Sequence, residues 1–169
     1  MNLEKHSDHA ALVGRLFYSS LFVLYGYFKL MGLAGTTAYM TKQGLPAPAA
    51  SAVLAGVIEL GGGLLMLIGY QTRLVALGLG IYVLIAALIA HTNFADGNQL
   101  SHFMKNMAIV GGSLAFVASG AGAYSLDGRR AEADAPLVPR PFPSWARVGS
   151  MHDAISELIE RPPTILALL

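Results

Sequence analysis

Apolar residues fall into four long stretches with the charges gathered around them: about Ala11 to Leu33, Ala49 to Tyr70, Leu74 to Ala90 and Asn106 to Leu126. A helix rising about 1.5 Å per residue needs about 20 residues to cross the hydrocarbon of a bilayer, within a range of about 17–25. All four stretches have that length. Only helices or closed barrels satisfy the backbone inside a membrane, and no segment shows the period-two alternation of a barrel strand. The pattern therefore predicts an all-α membrane protein, a four-transmembrane-helix bundle. Its connections are Thr36–Pro48, a tight turn at Gln71–Arg73, and Thr92–Phe103, with Pro46 and Pro48 marking the start of the second helix.

Composition agrees. The chain is 54% hydrophobic and 12% charged, with a mean hydropathy of +0.55, against roughly 25% charged residues in a soluble domain. The 111 residues from 16 to 126 hold only Lys29, Lys42, Glu59, Arg73, Asp96 and Lys105 as charges. The absence of cysteine excludes disulfides, thiol redox pairs, cysteine-ligated zinc and iron–sulfur clusters. A net charge of +1 argues against nucleic acid as a partner. The first stretch is expected to stay as a helix rather than be cleaved as a secretory signal, because Arg15 lies within it and Lys29 precedes any cleavage site. With both termini cytoplasmic, eight Lys and Arg residues lie inside and only Lys29, Lys42 and Lys105 outside. That asymmetry predicts an N-in, C-in topology.

On the first helix Arg15, Ser19, Phe22, Gly26 and Lys29 fall at spacings of 4, 3, 4 and 3, within about 80° of one another. This stripe is expected to face protein, with its two cations about 21 Å apart along the axis. Each could instead snorkel to headgroups. Glu59 lies near the middle of the second helix, where a charge costs about 2.5–3.5 kcal/mol on insertion scales. Its neighbours Ser51, Ala55 and Gly63 form a small-residue stripe that points it into the protein. There it is either protonated or paired with Arg15 or Lys29. A register-fixing ion pair and a polar pocket, such as one for a quinone headgroup, are both open. Proton or ion translocation is the weaker reading, because the spans hold no second acidic group. Lys105 and Asn106 open the fourth stretch, whose Gly111, Ala115, Ser119 and Ala123 read as a helix-packing face.

His91 and His102 flank the loop between the third and fourth helices. Their spacing does not suit a metal or haem pair on one helix, so no metal site is expected and they read as interfacial. The chain divides into a polar N-terminus (1–10), the four-helix region (11–128), a Pro-rich linker (129–149) and a short cytoplasmic C-terminal amphipathic helix with its tail (150–169). That helix, about 11 residues long, is too short to be stable alone. Its acidic face favours docking on a partner or on the bundle over lipid adsorption.

Gly14–Arg15, Gly26-Tyr-Phe-Lys29, Glu59-Leu-Gly-Gly-Gly, Gly69, Thr72–Arg73, His102-Phe-Met-Lys-Asn106, Gly111–Gly112 and Tyr124-Ser-Leu-Asp127 together resemble the DoxX family across about residues 14–128. The resemblance implies a multi-pass protein of the bacterial inner membrane. Family relatives include a membrane subunit of a thiosulfate:quinone oxidoreductase, members linked to oxidative-stress complexes, and more distant cargo receptors and assembly factors. Two functions follow. In one, the chain is a membrane subunit or accessory of a quinone-linked oxidoreductase with no redox centre of its own. The quinone would lie near Arg15, Lys29, Glu59, Lys105 and Asn106, and a redox protein or a second copy of the chain would be its partner in the bilayer. In the other it is a non-enzymatic scaffold, assembly or cargo factor.

Overall fold

The computed structural model describes the backbone of residues 3–134 and the side chains from Ser7 onward. Six helices follow one another: α1 (Leu3–Met31), α2 (Leu33–Lys42), α3 (Pro48–Ile68), α4 (Thr72–Ala90), α5 (Gly97–Ser119) and α6 (Leu126–Ala133). There is no strand among the described residues. Helix α1 packs along α3, α3 along α4 and α4 along α5, while α2 lies against α3.

Among the described residues three helices are long and apolar enough to cross a membrane, at Ser7–Met31, Pro48–Ile68 and Thr72–Ala90. The fourth expected stretch is shifted. Its helix starts at Gly97, where Asp96 caps it by accepting a hydrogen bond from the Asn98 amide at 2.9 Å, and it ends at Ser119. Gly120, with φ of 77°, terminates it, so residues 120–125 are not helical. The first half of α5 carries Asn98, Gln99, His102, Lys105 and Asn106, which makes it less apolar than the other three.

Two short helices stand where connections or linker were expected. Helix α2 fills most of the Thr36–Pro48 connection. Helix α6 includes residues 129–133 of the expected linker, and its cap Ser125 accepts from the Gly128 amide at 2.9 Å. The rest of that linker and the C-terminal amphipathic helix lie outside the described residues.

Packing reverses the soluble pattern of large residues inside. Helix α3 buries Ala52, Ala55, Gly56, Glu59, Gly63 and Met66, and exposes Leu54, Val57, Leu64 and Ile68. Helix α4 buries Ala76, Gly80 and Ala87 beside Leu79 and Val83, and exposes Leu74, Ile81, Ile85 and Leu88. Lipid solvates large aliphatic side chains as well as protein does, so close backbone contact between small residues is what holds the helices together. The tightest such contact is at Gly26 on α1, where a Cβ would lie 2.9 Å from the Gly56 carbonyl oxygen and overlap the Leu60 backbone. The expected face of α1 is buried, with Arg15, Ser19 and Phe22 each at 2% exposure or less. The expected packing face of α5 is not. Gly111, Ala115, Ser119 and Ala123 are exposed, and the buried face carries Ser113, which hydrogen-bonds Tyr18 of α1 and touches Gly80 of α4.

A polar clamp closes one end of the helices. Arg15, buried within α1, donates to the Ala121 carbonyl at 2.7 Å and the Tyr124 carbonyl at 2.5 Å, both in the non-helical segment that follows α5. Helix α4 has no cap from its own N-cap residue, Gln71. Asp127 serves instead, accepting from the Gln71 amide at 2.8 Å and the Thr72 amide at 2.7 Å, while its own amide donates to the Gly69 carbonyl at 2.9 Å. Gly69 has φ of 68°, and a Cβ there would meet Ser125 Cβ at 2.5 Å and Arg15 Nη1 at 2.8 Å, so the turn needs glycine for both its backbone and its space. Partial burial pushes the Asp127 carboxyl up, but the Thr72 and Gln71 amides and the charge of Arg130 outweigh it and hold the group below the usual carboxylate range.

Two outcomes follow for thermal unfolding in detergent. Gly26→Val forces α1 and α3 apart and costs about 1–3 kcal/mol or more, whereas Gly111→Val, with nothing within 4 Å of its Cβ, leaves the midpoint nearly unchanged. Asp127→Ala removes a cap and costs about 1 kcal/mol at neutral pH. Because the Asp127 carboxyl titrates lower when folded than when unfolded, its contribution is fully present above about pH 4 and is lost as pH falls through the folded value. The gap between wild type and Asp127→Ala therefore narrows below about pH 4.

Candidate functional site

Of the two cations available to Glu59, the structure selects Lys29. Lys29 Nζ reaches Glu59 Oε1 at 2.6 Å and Oε2 at 2.5 Å. Glu59, 7% exposed, takes a third hydrogen bond from the Tyr82 hydroxyl at 2.8 Å. The small residues beside Glu59 bring α1 and α4 close enough for both partners to reach it. One cluster thus ties α1, α3 and α4 together, and Lys29 Nζ also stands 5.7 Å from the centre of the Tyr25 ring.

The cluster forms part of the wall of a cavity of about 400 Å³. Leu21, Phe22, Leu54, Ile58, Val83 and Ile89 make much of the lining apolar, and Lys105, Asn106, Gln43 and His91 add polar groups. Lys29, Gln43, His91 and Lys105 also line a second, more polar space of about 630 Å³, with Lys42, Asn98, Gln99 and His102. An apolar chamber with a buried ion pair in its wall therefore adjoins a polar vestibule at the end formed by α2 and the α4–α5 connection.

Of the residues expected at one site, Lys29, Glu59, Lys105 and Asn106 line this cavity. Arg15 does not. It belongs to the clamp, about four turns back along α1 from Lys29, where its guanidinium bonds backbone carbonyls rather than Glu59. The histidines, separated by 11 positions in sequence, stack with ring centres 5.0 Å apart and planes at 22°. Tyr82 was not among the expected residues. Its signal was present, because it is the sole polar side chain between Leu74 and Ala90. Lys42 and Gln43 enter the lining because α2 forms where a loop was expected. Among the described residues no group of three or more His, Asp or Glu side chains is placed to hold a metal ion.

The DoxX family model matches residues 10–92, a stretch that contains Lys29, Glu59 and Tyr82 and stops short of Lys105. The chain is 40% identical over 125 residues to "Inner membrane protein YqjF" of Escherichia coli strain K12, covering 74% of this chain and 95% of that protein. It is 34% identical over 140 residues to "Inner membrane protein YphA" of the same strain, covering 76% of this chain and 100% of that protein. No solved structure matches the chain.

The ion pair predicts a distinctive stability series. Lys29→Met leaves Glu59 buried without its cation and costs about 3–5 kcal/mol. The double variant Lys29→Met/Glu59→Leu removes both charges and recovers most of that loss. Thermal midpoints in detergent that fall equally for the single and double variants would contradict this account.

Proposed function

We propose that this chain, which belongs to the DoxX family and is an inner-membrane protein, crosses the membrane four times and binds a quinone headgroup as the membrane subunit or accessory of an oxidoreductase. Helix α5 is the fourth span in this reading. Its 23 residues are long enough, it packs along α4, and its polar half lies at the vestibule. Lys29, Lys42 and Lys105 border the vestibule. At the other end are Arg15 in the clamp, Arg73 beside Gly120 and Arg130 against the Tyr70 ring. With Arg129 beside Arg130 in α6, four basic residues at the arginine end against three at the vestibule support a cytoplasmic location for it and both termini.

The observation that carries the quinone reading is the apolar cavity bordered by Lys29, Glu59 and Tyr82, with Lys105 and Asn106 in its lining. Its volume of about 400 Å³ lies within the usual range for small-molecule sites, and a few placed polar groups in an otherwise apolar wall are their usual form. Lys29, Lys105 and Asn106 are donors suited to the carbonyl oxygens of a quinone, while Tyr82 gives its one proton to Glu59 and holds that carboxylate in place. A bound quinone supplies two-electron, two-proton redox chemistry. The protein's own side chains bind, orient and exclude water. The chain has no cysteine to hold an iron–sulfur centre, so in this reading a partner protein completes the electron path.

A scaffold reading rests on the same ion pair acting only as a register lock. Titration of the purified full chain with a short-chain ubiquinone analogue separates the two. The oxidoreductase reading expects saturable binding, weakened roughly three- to tenfold by Asn106→Leu through loss of one hydrogen bond and weakened further by Glu59→Gln. Absence of binding, or binding that both variants leave unchanged while folded, overturns it in favour of the scaffold.

A further inference from the structure

The vestibule gathers three lysines and two histidines, and among the described residues two of those lysines lack an anion. Lys29, Lys42, Lys105, His91 and His102 line it together, and no Asp or Glu does. Lys29 is matched by Glu59 in the inner cavity, but neither Lys42 nor Lys105 forms an ion pair among the described residues. Lys105 Nζ instead stands 3.3 Å from His102 Nδ1, a contact that requires an unprotonated ring nitrogen as acceptor. Three ammonium groups at one opening repel one another, and a membrane interface screens that repulsion less than open water does. Their positions converge from α1, α2 and α5, which are far apart in sequence, so the arrangement is not a run of solvated lysines.

We infer that this vestibule is a binding site for a tetrahedral oxyanion, the group carried by free sulfate or phosphate and by a phospholipid headgroup. Lys42 and Lys105 supply its unmatched charge, and Lys29 adds the field of the inner pair. With His102 Nδ1 accepting from Lys105, the His102 Nε2 position bears the N–H that donates to the anion. His91 Nδ1 lies 2.7 Å from Gln99 Oε1 and donates there. The site shares Lys29, Gln43, His91 and Lys105 with the wall of the inner cavity, but Lys42 and His102 belong to the vestibule and not to that wall, and sulfate binding is read without any quinone present.

Calorimetric titration of inorganic sulfate into the delipidated full chain, in uncharged detergent at constant chloride, tests the site. Saturable binding is expected, with affinity at least about tenfold lower in Lys42→Met/Lys105→Met, since two charges at contact distance are removed. Both lysines are exposed, so the thermal midpoint of the double variant stays near that of wild type. No saturable binding, or equal binding by wild type and the lysine double variant, overturns the proposal. Dihexanoylphosphatidylglycerol then assigns the source: displacement of sulfate identifies a lipid headgroup site, and failure to displace identifies a site for a free anion.

Discussion

A carboxylate at mid-membrane depth has to be answered, and much of the local architecture is arranged around the answer to Glu59. Its side chain lies 9% exposed on a helix surrounded mostly by apolar side chains, so the charge is tolerated only with a cation and hydrogen bonds in place. Lys29 must therefore approach from α1 and Tyr82 from α4, and the helices must come close enough for both to reach. Small residues make that approach possible. Gly26 and Gly56 let α1 and α3 touch along their backbones. The cavity beside Glu59 and the packing of α1, α3 and α4 are thus two results of the same constraint.

The clamp around Arg15 applies the same rule with different partners. Gly120 ends α5 and frees the carbonyls of the following segment, two of which receive the guanidinium. Asp127 covers amides that the start of α4 leaves open. In each case an obligatory polar group is satisfied by a residue distant in sequence, and the helices are held at that end by hydrogen bonds rather than by large apolar contacts. Between the clamp and the Lys29–Glu59 pair, the contacts are mostly alanine, glycine and serine, with Phe22, Met66, Leu79 and Val83 as the few large buried side chains.

Much of this was legible in the chain. The spacing of Arg15, Ser19, Phe22, Gly26 and Lys29 marks the protein-facing side of α1 because two cations cannot face lipid on the same stripe without cost. Glu59 among small residues marks an interior position. The partner of Glu59 was not legible, since Arg15 and Lys29 share one helix face and only the tertiary arrangement chooses between them. The buried face of α5 was misread for a related reason. Small residues lie on two of its faces, and in a chain solvated by lipid apolarity no longer separates inside from outside, so Gly111, Ala115 and Ser119 looked as suitable as Ser113. Helix α2 was hidden by the Gly and Thr content of its sequence. The stacking of His91 and His102 depends on how the α4–α5 connection folds back, which no local pattern records.

The clamp also sets an order of events during synthesis. Arg15 lies 106 and 109 residues ahead of the carbonyls that receive it, and the amides of Gln71 and Thr72 precede Asp127 by 56 and 55. A nascent chain that has emerged only through α4 holds Arg15 without those carbonyls and the start of α4 without its cap. The short stretch from Ala121 to Asp127, which runs into the first turn of α6, therefore satisfies both at once, and a chain truncated before it enters the bilayer with Arg15 and the start of α4 left open.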